Sequence, residues 1–255
     1  VVILLQGNFG MYYHFVGEIM SRLSLAAEQF PDVVNDPTTL FLTGRNDSYA
    51  AEWAEVLGIP TERLTSSCTR AKKVLWTPTN GCCSTRPAAV QGMRRMIHAK
   101  YWPNADASRR HSRQKPKALV VQRCMARSRS IFNHDDIVQG LLDVGYDVVV
   151  HSDIDLPNAF GQCSMFYDAD LVVGPHGAGL VNIICCRPGT PIIEVETSRP
   201  DHNLAFVSLA SSLNLTYYPV ETRPPFELEY AGNPGTVNVS AILEVASELK
   251  PTLPF

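Results

Sequence analysis

The sequence lacks several features that would place the protein in a particular class. No apolar run approaches the roughly 18 residues that a bilayer-spanning helix needs. Positive charge is not in excess, since the formal net charge is -3, and nothing general favours nucleic-acid binding. There is also no initiator Met and no basic leader before the apolar start at Val1. We therefore expect a segment of a longer protein, with any membrane anchor outside it.

Several catalytic and ligand-binding motifs are missing as well. The seven cysteines contain no C-x-x-C spacing, which argues against a structural zinc site. No G-x-S-x-G elbow supports an α/β-hydrolase. Neither G-x-x-x-x-G-K-[ST] nor G-x-G-x-x-G is present, which disfavours a P-loop and a classical dinucleotide site. Cys185 and Cys186 lie in an apolar segment, and we interpret both as small core residues rather than nucleophiles.

Composition and pattern predict an α/β protein. With 45% apolar and 18% charged residues in a chain of 255, the sequence is typical of a folded globular protein. Strand and helix patterns alternate over residues 1–102 and again over 117–238, which predicts two α/β domains. The polar, basic segment 103–116 has proline near both ends and is the predicted linker. Residues 239–255 are assigned to a final helix and tail.

The most informative stretch is Asp170–Glu196. An apolar strand ends at Gly174-Pro175 and is followed by His176-Gly177-Ala178-Gly179, an apolar helix and a second apolar strand. Backbone N–H groups at a helix start, together with the helix dipole, favour an anion. This pattern predicts a phosphate-handling centre at the glycine turn. The alternative is a tight turn in which glycine serves packing alone.

Two arginines follow another predicted strand, residues 118–122. Arg123 ends that strand, and Arg129 stands in the loop before Asn133, a predicted helix cap. If the strands are parallel, these guanidinium groups lie at the same sheet edge as the glycine turn and can neutralise a diphosphate. Loop charge that simply faces solvent is the alternative interpretation.

His14 and Glu18 are spaced i,i+4 on the first predicted helix, so their side chains can touch. A carboxylate orients a histidine and raises its basicity, which suggests a general base. A helix-surface pair or a satisfied buried histidine is the structural alternative.

Two D-x-D runs, at Asp153–Asp155 and Asp168–Asp170, are a possible metal site, because paired aspartates can hold a divalent ion against a diphosphate. One run lies in a turn and the other opens a buried strand, so we interpret both as structural. Three glycosylation sequons, at Asn46, Asn214 and Asn238, fit a secretory compartment but are short enough to arise by chance.

Taken together, these motifs resemble glycosyltransferase family 61. The family includes plant xylan arabinosyl- and xylosyltransferases and animal transferases that add N-acetylglucosamine to EGF domains or to O-mannose. Three blocks carry the resemblance, in the expected order: Tyr13-His14-Phe15-x-x-Glu18-x-x-x-Arg22-Leu23; Arg123 with Arg129-x-Ile131-x-Asn133; and Phe160, Gln162, Phe166 and Ala169-Asp170 leading to Val173-Gly174-x-His176-Gly177-Ala178-Gly179-Leu180-x-Asn182, Pro188-Gly189 and Ile193-Glu194.

The resemblance implies a GT-B fold, in which two Rossmann-like domains face a central cleft. It also implies inverting transfer from a UDP-sugar to a hydroxyl of a glycan, polysaccharide or glycoprotein. In this scheme the amides of Gly177–Gly179 and the side chain of His176 meet the donor diphosphate. Arg123 and Arg129 balance its charge, and Glu194 accepts from the ribose. On the acceptor side, His14 is held by Glu18 and deprotonates the hydroxyl.

The resemblance also frames the expected partners. The UDP-sugar is a co-substrate, and no cofactor is required, because a cationic diphosphate site can work without metal; a divalent metal is the alternative. The expected location is the Golgi or endoplasmic reticulum lumen, as a type II membrane protein if the source is eukaryotic. Two other hypotheses remain open: a non-catalytic nucleotide- or carbohydrate-binding relative, and another GT-B-like enzyme acting on a phosphorylated substrate.

Overall fold

The computed structural model describes residues 1–5, 11–43, 48–67, 70–77, 85–104, 113–125, 129–196, 204–221 and 235–251. The chain divides into two compact units. The first comprises Val1–Pro103, Asn158–Gly161 and Asn203–Leu213, and the second comprises the remaining three segments, Asn104–Pro157, Gln162–His202 and Asn214–Phe255. Most of the predicted linker, residues 105–112, lies outside the described residues, as does the sequon at Asn46.

The first unit contains a parallel sheet. Its strands are β1 (Val2–Leu4), β2 (Leu40–Leu42), β3 (Leu64–Thr65) and β4 (Val74–Trp76), in the spatial order β3-β2-β1-β4. The helices assigned to this unit are a π-helix (His14–Met20), α1 (Ser21–Gln29), α2 (Pro31–Asn35), α3 (Ser48–Val56), a 3₁₀ turn (Thr61–Arg63), α4 (Pro87–Tyr101) and, from later in the chain, α7 (Ala205–Ser212).

Arg22 ties this sheet together from within. Its side chain is buried, and its guanidinium donates to the carbonyls of Leu4 and Leu5 at the end of β1 and to the hydroxyl and carbonyl of Thr77 after β4. Burial lowers the pKa of Arg22, with a smaller contribution from the positive charge of Arg86. These donated hydrogen bonds satisfy strand-end carbonyls that would otherwise be buried without a partner.

The second unit contains the longer parallel sheet. Its strands are β5 (Lys117–Gln122), β6 (Asp147–Ser152), β7 (Leu171–Pro175), β8 (Pro191–Glu196) and β9 (Thr216–Glu221), in the order β6-β5-β7-β8-β9. Its helices are α5 (His134–Val144), most of α6 (Ala159–Asp168), a 3₁₀ helix (Ala178–Cys185) and α8 (Val239–Glu248).

The two faces of this sheet have different roles. One face packs on α5 and α8, with Val120, Val173, Ile193 and other aliphatic residues forming a continuous apolar core. The other face carries Gly174 in the position that follows Val173 along β7. A Cβ at Gly174 would lie 2.8 Å from the Cβ of Val121 and 3.2 Å from Leu180. Glycine at this position therefore allows the 3₁₀ helix to pack closely against the sheet.

The observed architecture confirms the α/β class and the parallel strands that the sequence predicted. The facing arrangement of a GT-B fold stays a prediction. The sequence pattern did not reveal β3, because two residues are too short for a periodic signal. The predicted C-terminal domain, 117–238, included the segment of α7, whereas α7 is assigned to the first unit.

Cys185 has a role that the sequence analysis did not assign. It forms a disulfide with Cys163, 22 residues away, and so joins α6 to the 3₁₀ helix. Cys185 is a buried core residue, as interpreted, but the disulfide was not predicted, because connectivity cannot be read from cysteine spacing alone. The neighbouring Cys186 is fully buried, which confirms the interpretation as a core residue.

The disulfide generates a stability prediction. The double variant Cys163→Ala and Cys185→Ala should lose about 3 kcal/mol of unfolding free energy, because the unfolded chain is no longer constrained by the cross-link. Urea denaturation without reductant measures this loss. Cys124→Ser, which alters an exposed free thiol, is the control and should unfold like the native protein. Equal stability of all three proteins would contradict a native Cys163–Cys185 bond.

Candidate functional site

The glycine turn joins β7 to the 3₁₀ helix. The backbone of His176 continues the sheet by donating from its N–H to the carbonyl of Val195 at 2.9 Å. The helix begins where Leu180 N–H donates to the Gly177 carbonyl at 3.0 Å. The N–H groups of Gly177, Ala178 and Gly179 therefore precede the first helical hydrogen bond, which is where a helix start presents donors to an anion.

Gly177 is needed for a close contact with Arg123. A Cβ at this position would lie 1.7 Å from Nη1 and 2.9 Å from Cζ of Arg123. The φ of Gly177 is 162°, an extended value that any residue can adopt, so backbone strain is not the reason for glycine. The guanidinium lies directly against the glycine backbone, and a side chain would displace it. The structure thus joins two predicted site residues from separate motifs.

The charge of Arg123 is poorly compensated. Burial is the largest cause of the lowered pKa of Arg123, and the positive charge of Arg129 lowers that pKa further. The negative charge of Asp153 raises the pKa in part. Arg123 Nε is buried and has no hydrogen-bond partner among the described residues. Two neighbouring guanidinium groups, one of them partly desolvated, favour an anionic ligand because the ligand would relieve both costs.

Asp153 also holds the loop that carries Arg123. Its Oδ1 accepts from the backbone N–H of Cys124 at 2.6 Å and of Met125 at 3.0 Å. These two bonds connect the loop after β5 to the turn after β6, the neighbouring strand. Asp153 therefore has a positioning role, in line with the structural interpretation of its D-x-D run.

The backbone that follows Arg129 is held by two hydrogen bonds between the Asn133 side chain and the Val237 backbone, called here the Asn133–Val237 clamp. The φ of Arg129 is 62°, in the left-handed region that a non-glycine residue adopts at some cost. Four residues later, the Asn133 side chain accepts from Val237 N–H at 3.0 Å and donates to the Val237 carbonyl at 3.1 Å. Ile131 forms a β-bridge with Gly235. Asn133 is the N-cap residue of α5, as predicted, but its side chain makes no capping bond.

His176 is part of a row of three hydrogen-bonded side chains. Its Nδ1 lies 2.5 Å from Oε1 of Glu194, and Tyr217 donates from its hydroxyl to Oε2 of Glu194 at 2.6 Å. The Glu194 side chain is 0% exposed and that of His176 is 15% exposed. With both oxygens bonded inside the protein, Glu194 is placed to orient His176. Acceptance of a hydrogen bond from the ribose, which the resemblance implied for Glu194, stays a prediction.

A second buried polar network supports the 3₁₀ helix. Asn182 donates from its side chain to Oε1 of Gln162 at 2.9 Å, and Nε2 of His151 lies 3.3 Å from the same oxygen. Burial lowers the pKa of His151, which favours the neutral ring that donates one N–H here. Gln162 and Asn182, both in the resemblance motif, thus connect β6, α6 and the helix that follows the glycine turn.

In the other D-x-D run, Asp170 is bound by a backbone N–H group and by an arginine side chain. Asp170 accepts from Lys117 N–H at 2.9 Å and from Arg187 Nη2 at 2.9 Å, at the amino end of β7 and far from the glycine turn along that strand. Within the residues that the structure describes, no group of three His, Cys, Asp or Glu side chains is arranged to hold a metal ion. Metal independence stays a prediction.

His14 and Glu18 meet in the first unit, as their spacing predicted. His14 Nδ1 lies 2.9 Å from Glu18 Oε2, and the side chains are 7% and 12% exposed. The oxygen lies off the direction of a ring N–H, so the contact is electrostatic rather than a linear hydrogen bond. Both residues belong to a π-helix, a distortion that is frequent at functional sites. The catalytic role of the pair stays a prediction.

Sequence reasoning missed Tyr217 and the Asn133–Val237 clamp. Both contacts join segments that are remote in the chain, 23 and 104 residues apart. The register of β8 with β9, which places Tyr217 beside Ile192, was the signal that would have found Tyr217. That register is a tertiary contact between two strands and cannot be read from their separate sequences.

Comparison with known protein families gave one result. A family model described as Glycosyltransferase 61 matches residues 12–193, which is well over half of the chain. The match contains His14, Glu18, both arginines and the whole glycine turn. A search of curated proteins found no significant match. Among the described residues, none of the helices combines the length and the apolar character needed to span a bilayer.

The contact between Gly177 and Arg123 can be tested with paired alanine variants. Gly177→Ala should weaken binding of inorganic pyrophosphate by at least about tenfold, because the displaced guanidinium loses a charge-assisted contact worth about 1.5 to 3 kcal/mol. Gly179→Ala is the control, since its Cβ would lie 3.5 Å from Val121 in ordinary contact. Both variants keep their backbone N–H. Calorimetry that finds equal affinities for these variants would contradict the assigned role of the close contact.

Proposed function

Because the chain belongs to glycosyltransferase family 61, we propose that it transfers a sugar, with inversion, from a UDP-sugar to a hydroxyl of a glycan, polysaccharide or glycoprotein. The transferred sugar is a pentose or a hexose, N-acetylglucosamine and the sugars of xylan among them. The observation that carries the proposal is the packing of Arg123 on Gly177 beside Arg129. This arrangement supports a site for a diphosphate.

The donor assignment follows from charge. A nucleotide-sugar diphosphate brings negative charge to two guanidinium groups. Without an anion, their mutual repulsion and the burial of Arg123 disfavour the charged form of Arg123. Arginine binds phosphate oxygens with paired, planar donors. The N–H groups of Gly177–Gly179 add neutral donors from the start of the 3₁₀ helix. In the proposed site these groups supply the charge balance, so no metal is required.

The proposed reaction is a single displacement at the anomeric carbon. The acceptor oxygen attacks that carbon from the side opposite the diphosphate, and the bond from the carbon to the diphosphate oxygen breaks. The bonding electrons leave with UDP, whose growing negative charge Arg123 and Arg129 stabilise. The acceptor hydroxyl gives its proton to His14, the proposed general base, and Glu18 balances the resulting imidazolium charge.

The base assignment can be tested separately from the donor site. His14→Ala should lower transfer by about 10²- to 10⁴-fold, the range for losing a general base, and leave UDP affinity unchanged. His98→Ala, a histidine on α4 of the same unit, is the control and should keep full activity. Radiolabelled sugar transfer measures the rate, and calorimetry measures UDP binding. Full activity of His14→Ala would remove His14 from the mechanism.

Two other outcomes would redirect the proposal. If UDP binds but no sugar is transferred or hydrolysed across an acceptor panel, the non-catalytic relative is the better description. If the protein shows no thermal shift with UDP or UDP-sugars, another phosphorylated substrate is favoured, since a ligand of the folded state raises its apparent stability.

We propose the secretory pathway, in the Golgi or endoplasmic reticulum lumen, as the location of the protein, with a membrane anchor outside the segment. The disulfide supports this proposal, because such bonds persist in oxidising compartments. Asn214 supports it too: the residue is exposed, and it precedes β9 at the amino end of the sheet, opposite the end that carries the glycine turn.

Glycosylation at Asn214 provides a direct test of this location. In a eukaryotic secretory host, the glycan should be removable by an N-glycanase, and Asn214→Gln and Thr216→Ala should each abolish it. Thr216→Ser retains the sequon and should keep the glycan. Intact mass spectrometry reads all four proteins. An unmodified Asn214 in the secreted native protein would count against this part of the proposal.

A further inference from the structure

The side chains of Tyr217, Glu194 and His176 line up because of strand register. Glu194 pairs with Gly174 on β7, and Ile192 pairs with Tyr217 on β9. Residues two apart on a strand share a face, so Tyr217 is the diagonal neighbour of Glu194 on one side. His176, two residues beyond Gly174, is its diagonal neighbour on the other side. The carboxylate therefore lies between two potential donors from adjacent strands.

We propose that Tyr217 is a positioning residue that acts through Glu194 to fix the ring of His176 for the donor diphosphate. The inference extends the proposed function, on which it depends for the identity of the ligand. The motifs recognised in the sequence contain the glycine turn, the two arginines and His176. Tyr217 lies outside the residues that the family model matches, 12–193.

Hydrogen-bond chemistry determines the state of the ring. An ionised carboxylate only accepts hydrogen bonds, and a tyrosine hydroxyl can donate one. Tyr217 donates to Oε2 at 2.6 Å, and Oε1 lies 2.5 Å from His176 Nδ1. When Glu194 is ionised, Oε1 can only accept, so this contact places a proton on Nδ1. The tautomer of the neutral ring is therefore set, and Nε2 is on the side of the ring that points away from Glu194.

This orientation gives His176 a specific task. His176 directly precedes Gly177, on which Arg123 packs, and its ring contacts the Glu194 carboxylate. When the ring is protonated, Nε2–H donates to a diphosphate oxygen, and the Glu194 carboxylate balances the imidazolium charge. Tyr217 stabilises that carboxylate in the interior, where burying an ion is otherwise costly. The same arrangement of ring and carboxylate is known to fix histidine orientation at other sites.

The hydrogen bonds from Tyr217 through Glu194 to His176 form a relay. Nuclear magnetic resonance of the histidine ring tests this relay without any ligand. His176→Gln identifies the ring signals of His176 by their loss. We expect Nδ1 of the native ring to carry a proton, and we expect Tyr217→Phe to shift the Nδ1–H resonance. Tyr218→Phe is the matched control: the ring of Tyr218 packs on the apolar core of the opposite sheet face, and the resonance should not move.

Two results would overturn the relay. One is an unchanged Nδ1–H resonance in Tyr217→Phe. The other is a neutral ring in the native protein that carries its proton on Nε2 alone. The second result needs no variant, so the inference stays testable even if Tyr217→Phe does not fold.

A double-variant cycle with UDP tests the consequence for donor binding. Tyr217→Phe should weaken UDP about tenfold, equivalent to about 1.4 kcal/mol, and Tyr218→Phe should not. In the His176→Gln background, Tyr217→Phe should have no further effect, because the two residues act as one unit. A second tenfold loss in that background would overturn the proposed route through His176.

The two levels of the proposal fail in different ways. If the native protein does not bind UDP, the donor assignment made under the proposed function is wrong. The ring resonances of His176 in the native protein and in Tyr217→Phe then still decide whether Tyr217 positions this histidine.

Discussion

The second unit depends on two glycines, because the absence of a Cβ lets neighbouring side chains lie directly against the backbone. At Gly174 the gap admits Val121 and Leu180, so the 3₁₀ helix packs closely on the sheet. At Gly177 it admits the Arg123 guanidinium. Neither glycine has a φ in the left-handed region, so both positions are determined by neighbours rather than by backbone freedom. The start of the 3₁₀ helix and the Arg123 guanidinium are thereby brought together at the carboxyl end of β7.

Polar side chains carry this arrangement into the sheet. Glu194 would be an expensive residue in a buried strand if its oxygens were not hydrogen-bonded. His176, directly after β7, and Tyr217, on β9, bond the two oxygens of Glu194. Hydrogen bonds to one carboxyl group therefore connect three neighbouring strands. Gln162 and Asn182 connect the 3₁₀ helix to α6 in a similar way, and the disulfide reinforces the same connection covalently. The glycine turn is therefore supported by bonds of several kinds.

Sequence patterns predicted what depends on local order. The alternation of strand and helix, the parallel sheets, the glycine turn and the His14–Glu18 contact all follow from residue spacing. Contacts between distant segments did not. The buried hydrogen bond between Glu194 and Tyr217 could not be predicted without the strand register. Asn133 was expected to cap a helix, yet its amide matches the backbone of Val237. In each case the bonding partner is remote in the chain.

The Asn133–Val237 clamp affects where the chain can be shortened without loss of structure. Residues 235–237 come about a hundred positions after the arginine loop, yet they pair with Ile131 and Asn133 as an added strand would. The backbone that shapes Arg129 is thus completed by the last part of the chain. A shortened protein that ends at β9 would keep every matched motif and still leave the Arg129 loop without its partner. The boundaries of a recognisable motif and of a self-sufficient folding unit therefore differ in this protein.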